Sequence, residues 1–139
     1  MTTPPHALPA GVILIPPDGG RHYACGPMHS VFLADGAETG NRYSVSIWRV
    51  EPGQPGPGAH AHEANEELFY VIEGTMTFLV GDRHVDAAAG TFLRIPAGVT
   101  HDFENRTAAA ARALNVFIPG GFEVHMPEIV AWYAEQAMG

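Results

Sequence analysis

The chain has 139 residues, 46% of them hydrophobic and only 16% charged, with a formal net charge of −8. That length is enough to bury one real core but not two, and the composition argues against extensive disorder. Its seven basic residues are scattered along an acidic sequence, without the clustering that phosphate contacts need, so no nucleic-acid partner is expected.

A single cysteine, Cys25, has no intrachain partner; it reads as a small buried side chain in a reducing compartment. Met1 to Gly11 carries prolines but no basic residue and no apolar stretch of signal-peptide length. No run approaches a membrane span. A cytoplasmic protein with no membrane partner is therefore expected.

In chain order, residues 1–11, with Pro4, Pro5 and Pro9, read as an extended arm in which His6 is solvated, and residues 12–139 as a single domain. Val12 to Ile15 is an apolar run stopped by Pro16-Pro17-Asp18-Gly19-Gly20, a strand followed by a turn. Met28 to Ala34 reads as a second strand, closed by Asp35-Gly36. Arg42 to Glu51 is a clearer one, with Tyr43, Val45 and Ile47 on one face and Ser44, Ser46 and Trp48 on the other; the pattern does not say which face looks inward. The Pro- and Gly-rich stretch from Glu51 to Gly58 cannot hold a ladder and reads as a loop.

Further strands are expected near Glu67–Glu73, Thr75–Val80, His84–Asp86, Thr91–Ile95, His101–Glu104 and Arg112–Ile118. Many short strands at this spacing indicate an all-β sandwich or barrel. Past Pro119-Gly120-Gly121 the period changes to helical. Pro127 suits a first turn, and Met126, Ile129, Val130, Tyr133 and Ala137 form a stripe over a helix of about 127–138. The stripe reads as core or interface.

The chemistry concentrates in two stretches. His60 and His62 are two residues apart, so on an extended strand both imidazoles lie on one face and reach one ion. Glu67 opens the next apolar run, and a turn between the two segments could bring its carboxylate back as an oxygen ligand. His101, just past the Pro96-Ala97-Gly98 turn, is a natural fourth. Three imidazoles and a carboxylate suit one divalent transition metal: Fe, Mn, Ni, Co, Cu or Zn. If Glu67 faces inward, Phe69 and Val71 share its side and Phe103 shares that of His101. These three would give the ion an apolar surround, a pocket for a small molecule. Asn105 is expected to brace the loop that holds His101. Glu63, Glu66 and Glu73, and His22, His29, His84 and His125, are expected outside the ligand set.

At these residues the sequence resembles the cupin superfamily, in particular single-domain microbial members of the quercetin dioxygenase-like type. The first cupin motif, G-x5-H-x-H, then three or four residues, E-x6-G, is matched by His60, His62, Glu67 and Gly74 within 53–74. The second, G-x5-P-x-G-x2-H-x3-N, is matched by Gly90, Pro96, Gly98, His101 and Asn105 across 90–105. One position departs: Gln54 stands where the family has its first glycine, with Gly53 beside it.

The resemblance implies a double-stranded β-helix, the jelly-roll barrel, here followed by the short C-terminal α-helix. It also implies a homodimer built by packing barrel faces or exchanging N-terminal strands, with Val12 to Ile15 a candidate for exchange. It suggests a metal-dependent oxygenase acting on a small phenolic or enolic compound, with Glu67 taking a proton from the bound substrate. Two other readings keep the fold: a redox-inert metal-dependent isomerase or cyclase, and a non-catalytic small-molecule binding cupin.

Overall fold

The computed structural model describes residues 8–138, so His6 and most of the expected arm lie outside the described residues. Among the described residues nine strands form: β1 (Arg21–Cys25), β2 (Met28–Ala34), β3 (Ser44–Val50), β4 (Glu66–Glu73), β5 (Thr75–Val80), β6 (Arg83–Ala88), β7 (Phe92–Ile95), β8 (His101–Glu104) and β9 (Ala111–Ile118). Helix α1 (Met126–Met138) closes the chain, and 3-10 turns occupy Gly36–Glu38 and Glu123–His125. The strands make two antiparallel sheets, ordered β1-β2-β3-β9-β4-β7 and β6-β5-β8. This is the all-β jelly roll with one C-terminal helix that the strand spacing and the resemblance imply.

Alternation of buried and half-buried residues along β2, β3 and β9 turns one face of the large sheet into the barrel. In β3 the inward side is Ser44, Ser46, Trp48 and Val50, which settles the face that the sequence pattern left open. Ser46 is tolerable there because the Trp48 indole donates to its Oγ at 2.9 Å. Phe32, Val50, Val71, Met76, Phe78, Ile95 and Met126 are essentially inaccessible and fill the interior. Removing a side chain such as Phe32 would cost about 3–5 kcal/mol through lost transfer energy and the cavity left behind.

The structure departs from the sequence expectations in four places. Val12 to Ile15 is irregular rather than a strand, with Val12, Ile13 and Leu14 exposed; an apolar run becomes a strand only when a sheet edge receives it. The first strand is instead Arg21–Cys25, paired antiparallel with β2. The H-x-H segment forms no strand of its own. His60 makes a single bridge with His101, through N–H···O contacts of 3.0 and 2.8 Å, and His62 accepts from the Gly98 N–H at 2.8 Å. Asn105 is fully buried but braces the turn after β8: its amide donates to Val50 O and Ala109 O, and its Oδ1 accepts from Thr107. Its side-chain hydrogen bonds thus go to Val50, Thr107 and Ala109 rather than to the turn that precedes His101.

Helix α1 packs on the β1 side of the barrel through Met126, Ile129, Val130 and Tyr133, while Ala137 is exposed. Gly26, after β1, allows this approach. Its φ is +59°, and a Cβ there would come within 2.6 Å of the Tyr133 ring. Among the described residues no helix is long and apolar enough to cross a membrane.

Candidate metal centre

Three elements deliver the four donors. Glu67 lies on β4 and points inward because its strand neighbours Phe69 and Val71 do; His101 opens β8; His60 and His62 come from the loop that runs antiparallel to β8. One ligand atom from each of the four side chains lies within 4.8 Å of all the others. The imidazole centroids are 4.4 Å apart for His60 and His101, 5.1 Å for His60 and His62, and 5.7 Å for His62 and His101.

The surroundings fix which atoms face the centre. The Nδ1 atoms of His60 and His101 sit 2.7 and 2.9 Å from the carbonyls of Gly58 and Val99, so each ring donates outward and keeps Nε2 for the site. The Asn115 amide donates to Glu67 Oε1 at 3.1 Å, leaving Oε2 free. Glu67 Oε2 then lies 2.5 Å from His101 Nε2 and 3.7 Å from His62 Nε2. These contacts lack the alignment of a hydrogen bond: His62 Nε2, His101 Nε2 and Glu67 Oε2 are buried without a partner. Three buried polar atoms, orphaned and aimed at one point, would each be costly in an apolar interior. A divalent cation would satisfy all three at once, and the nitrogen and oxygen donor set fits a transition ion.

Burial pushes the Glu67 carboxyl up, but the imidazoles of His101 and His62, with the Asn115 amide, outweigh it and hold its pKa below the ordinary glutamate value. His101 is the converse: burial works against its charged form, yet the Glu67 carboxylate raises its pKa. Burial holds His62 below the ordinary histidine value, with Glu67 opposing and the other imidazoles adding to the fall.

Three of the donors, His60, His62 and Glu67, line a cavity of about 430 Å³, within the roughly 300–1,000 Å³ typical of small-molecule sites. Phe69 and Phe103 line it, in the places the strand phases give them; Val71 does not, and packs in the core beyond. Much of the wall was not legible as such: Met28, Trp48 and Phe122, and Ile129, Trp132 and Tyr133 from α1. Asn115 was also missed. Its signal is a polar side chain on the buried phase of β9, between Ala113 and Phe117.

The other acidic residues and histidines stay outside this group. Glu66 and Glu73 pair with Arg94 and Arg112 on the outer surface, and Glu63 is exposed. His22 and His29 contact each other at 2.8 Å on the outer face of β1 and β2. Gly53 takes a φ of +70°, so the backbone freedom expected at the first motif glycine is supplied one residue before Gln54.

Residues 46–117, more than half of the chain, match the family described as the cupin domain, and the chain belongs to that family. Among curated proteins it is similar to quercetin 2,3-dioxygenase of Bacillus subtilis (strain 168), at 33% identity over 64 residues that make up 46% of this chain and 19% of that one. It thus spans about a fifth of that relative's length.

Among solved structures, it is similar to a predicted oxalate decarboxylase from Thermotoga maritima. The TM-score is 0.67 and the identity 20%, covering 78% of this chain and 98% of that one. It is also similar to a cupin-superfamily sugar phosphate isomerase from Silicibacter pomeroyi. There the TM-score is 0.64 and the identity 23%, covering 76% and 74%. At these identities the likeness is one of fold, and one fold hosts many activities.

Proposed function

We propose that the protein is a metal-dependent cupin enzyme, an oxygenase of the quercetin dioxygenase-like kind, acting on a small, neutral phenolic or enolic compound. The observation that carries this is the junction of two environments: four convergent donors, three with an orphaned buried atom, meet an aromatic cavity that His60, His62 and Glu67 help to line. His60, His62, Glu67 and His101 would hold the ion. When bound, the ion would supply a Lewis acid able to take substrate oxygens and, if redox-active, to engage dioxygen. The likeness to a quercetin 2,3-dioxygenase, 33% identical over 64 residues, supports the oxygenase reading.

This chain's residues have distinct tasks in that reading. Phe69, Phe103 and Trp48 exclude water and hold a planar substrate against the donor end of the cavity. Glu67 is the catalytic residue. Held through Oε1 by Asn115, it presents Oε2 to the centre, where it can take the proton of a substrate hydroxyl. His60 and His101, locked by backbone carbonyls, keep the donor geometry rigid. Apart from the histidines no basic side chain lines the cavity, which disfavours phosphorylated substrates and weighs against a sugar phosphate isomerase activity.

The test is oxygen uptake by the iron(II) and manganese(II) forms over a panel of phenols and enols. Uptake coupled to loss of one substrate, abolished in Glu67→Gln, is expected. Full occupancy by a redox-inert ion in protein purified without added metal, together with no uptake across the panel, would overturn the oxygenase reading in favour of an isomerase or cyclase. Binding without any chemical change to the ligand would make the protein a non-catalytic binder.

A further inference from the structure

Helix α1 does more than cover the barrel. Ile129, Val130 and Tyr133 pack against the core, and that stripe gives the helix its inward face. Trp132 is not part of it. It keeps 55% of its surface exposed, yet it lines the same cavity as His60, His62 and Glu67, edge-on to Tyr133 with ring centroids 4.9 Å apart. A large aromatic ring left in water on a cavity wall adds little to the fold, whereas a ligand that covered it would recover its burial energy.

The segment that carries this ring is firmly placed. Asp35, buried at the end of β2, accepts the N–H groups of Gly121 and Glu123 at 2.6 and 2.7 Å, as well as that of Gly36. Glu123 in turn takes two hydrogen bonds from Arg21 and one from Tyr23 Oη, each at 2.6 to 2.7 Å. Phe122, between these anchors, packs its ring on Phe117 and Trp48 and reaches the His62 ring at 6.2 Å. One anchored stretch therefore links the donor end of the cavity to its exposed aromatic wall.

We propose that Trp132 is a specificity-determining residue: it stacks on a ring of the substrate remote from the metal-binding oxygens, so the site selects neutral, planar molecules of more than one ring over single-ring chelators. This rests on the reading of the four donors as a metal site, but not on any reaction with dioxygen. The lining supports a neutral ligand, because it offers aromatic faces and no arginine or lysine.

The experiment titrates zinc-saturated protein with quercetin, a multi-ring chelator, and with catechol, a single-ring one, by calorimetry. Quercetin is expected to bind the unmodified protein more tightly than catechol. Trp132→Ala should weaken quercetin by about tenfold or more and catechol by less than about twofold, and Trp132→Phe should restore most of the loss. Val124→Ala, an exposed change outside the cavity lining, controls for general effects on the C-terminal segment. Equal weakening of both ligands, no change in quercetin affinity, or no binding of quercetin by the unmodified protein would each overturn the proposal. If quercetin binds with the expected pattern but no phenol supports oxygen uptake, the oxygenase reading fails and the role of Trp132 stands.

Discussion

The two ends of the cavity are built by different means. The donor end is main-chain work: His60 and His101 are bridged through their backbones, their outer nitrogens meet carbonyls, and Glu67 sits in a strand paired on both sides. The aromatic wall on α1 hangs on side chains, chiefly the Asp35 carboxylate and the Arg21, Glu123 and Tyr23 cluster. Ladder hydrogen bonds are made wherever the strands pair, so the donor geometry is tied to the fold itself. The clasps depend on a few residues and can be released without unmaking the barrel, which leaves the wall free to vary while the four donors stay fixed.

The most damaging way to test that contrast is Asp35→Ala. It removes a buried carboxylate and strips acceptors from three part-buried backbone N–H groups, at an expected cost of about 3 kcal/mol. In a domain of this size that lowers Tm by on the order of 10 °C. Hydrogen exchange should rise first in residues 120–138, while zinc affinity measured below the new midpoint stays within about threefold of the parent. Loss of metal binding in step with loss of the wall would show that the two ends are not separable.

Asn115→Leu attacks the opposite end. It removes the amide that holds Glu67 Oε1 and should weaken metal binding by about 10–100-fold. Tm of the metal-free protein should change far less than in Asp35→Ala, because an apolar side chain of similar size takes the place of the amide. A chelator competition with a coloured zinc indicator measures the first quantity and a thermal melt the second.

The donor end was also the part legible in the sequence, and for a related reason. Its residues stand at fixed spacings because short backbone segments hold them, so H-x-H, the glutamate and the histidine after a Pro-x-Gly turn can be read from the sequence alone. The strands were legible where burial alternates, as in β2, β3 and β9. They were not where it fails: Arg21–Cys25 is largely exposed until Cys25, and Val12 to Ile15 is apolar without a partner. The α1 wall was illegible for a different reason. Helical periodicity correctly marks Ile129, Val130 and Tyr133 as inward, but no local pattern says that the next ring over, Trp132, overhangs a cavity formed by distant strands.

High pH should loosen the wall before the barrel. Burial raises the pKa of the Cys25 thiol and of the Tyr133 phenol, and the Glu123 carboxylate, with burial, raises that of Tyr23. All three lie where β1 meets α1. A group whose folded pKa exceeds its unfolded value contributes stability that is complete below the unfolded value and is lost as pH rises through the folded one. Tm is therefore expected to be flat to about pH 8.5, the ordinary cysteine value, and to fall above it, more steeply beyond about pH 10. Cys25→Ala should remove the earlier part of that fall. A fall led by amides of β4 and β8 rather than of α1 would contradict the contrast.

The smallest effect is expected at the exposed part of the clasp. Arg21 donates to Glu123 and Glu38 at 2.6 to 2.7 Å, but 44% of its side chain is open to solvent, so water and salt screen most of the attraction. Arg21→Met should cost only about 0.5–1 kcal/mol, because Tyr23 still donates to the less exposed Glu123. The penalty should shrink as salt is raised towards 1 M, whereas that of Asp35→Ala, which removes a buried carboxylate, should not. A double-mutant cycle with Glu38→Gln divides the Arg21 contribution between its two carboxylate partners, and coupling concentrated on Glu38 would place the clasp on the 3-10 turn rather than on the wall.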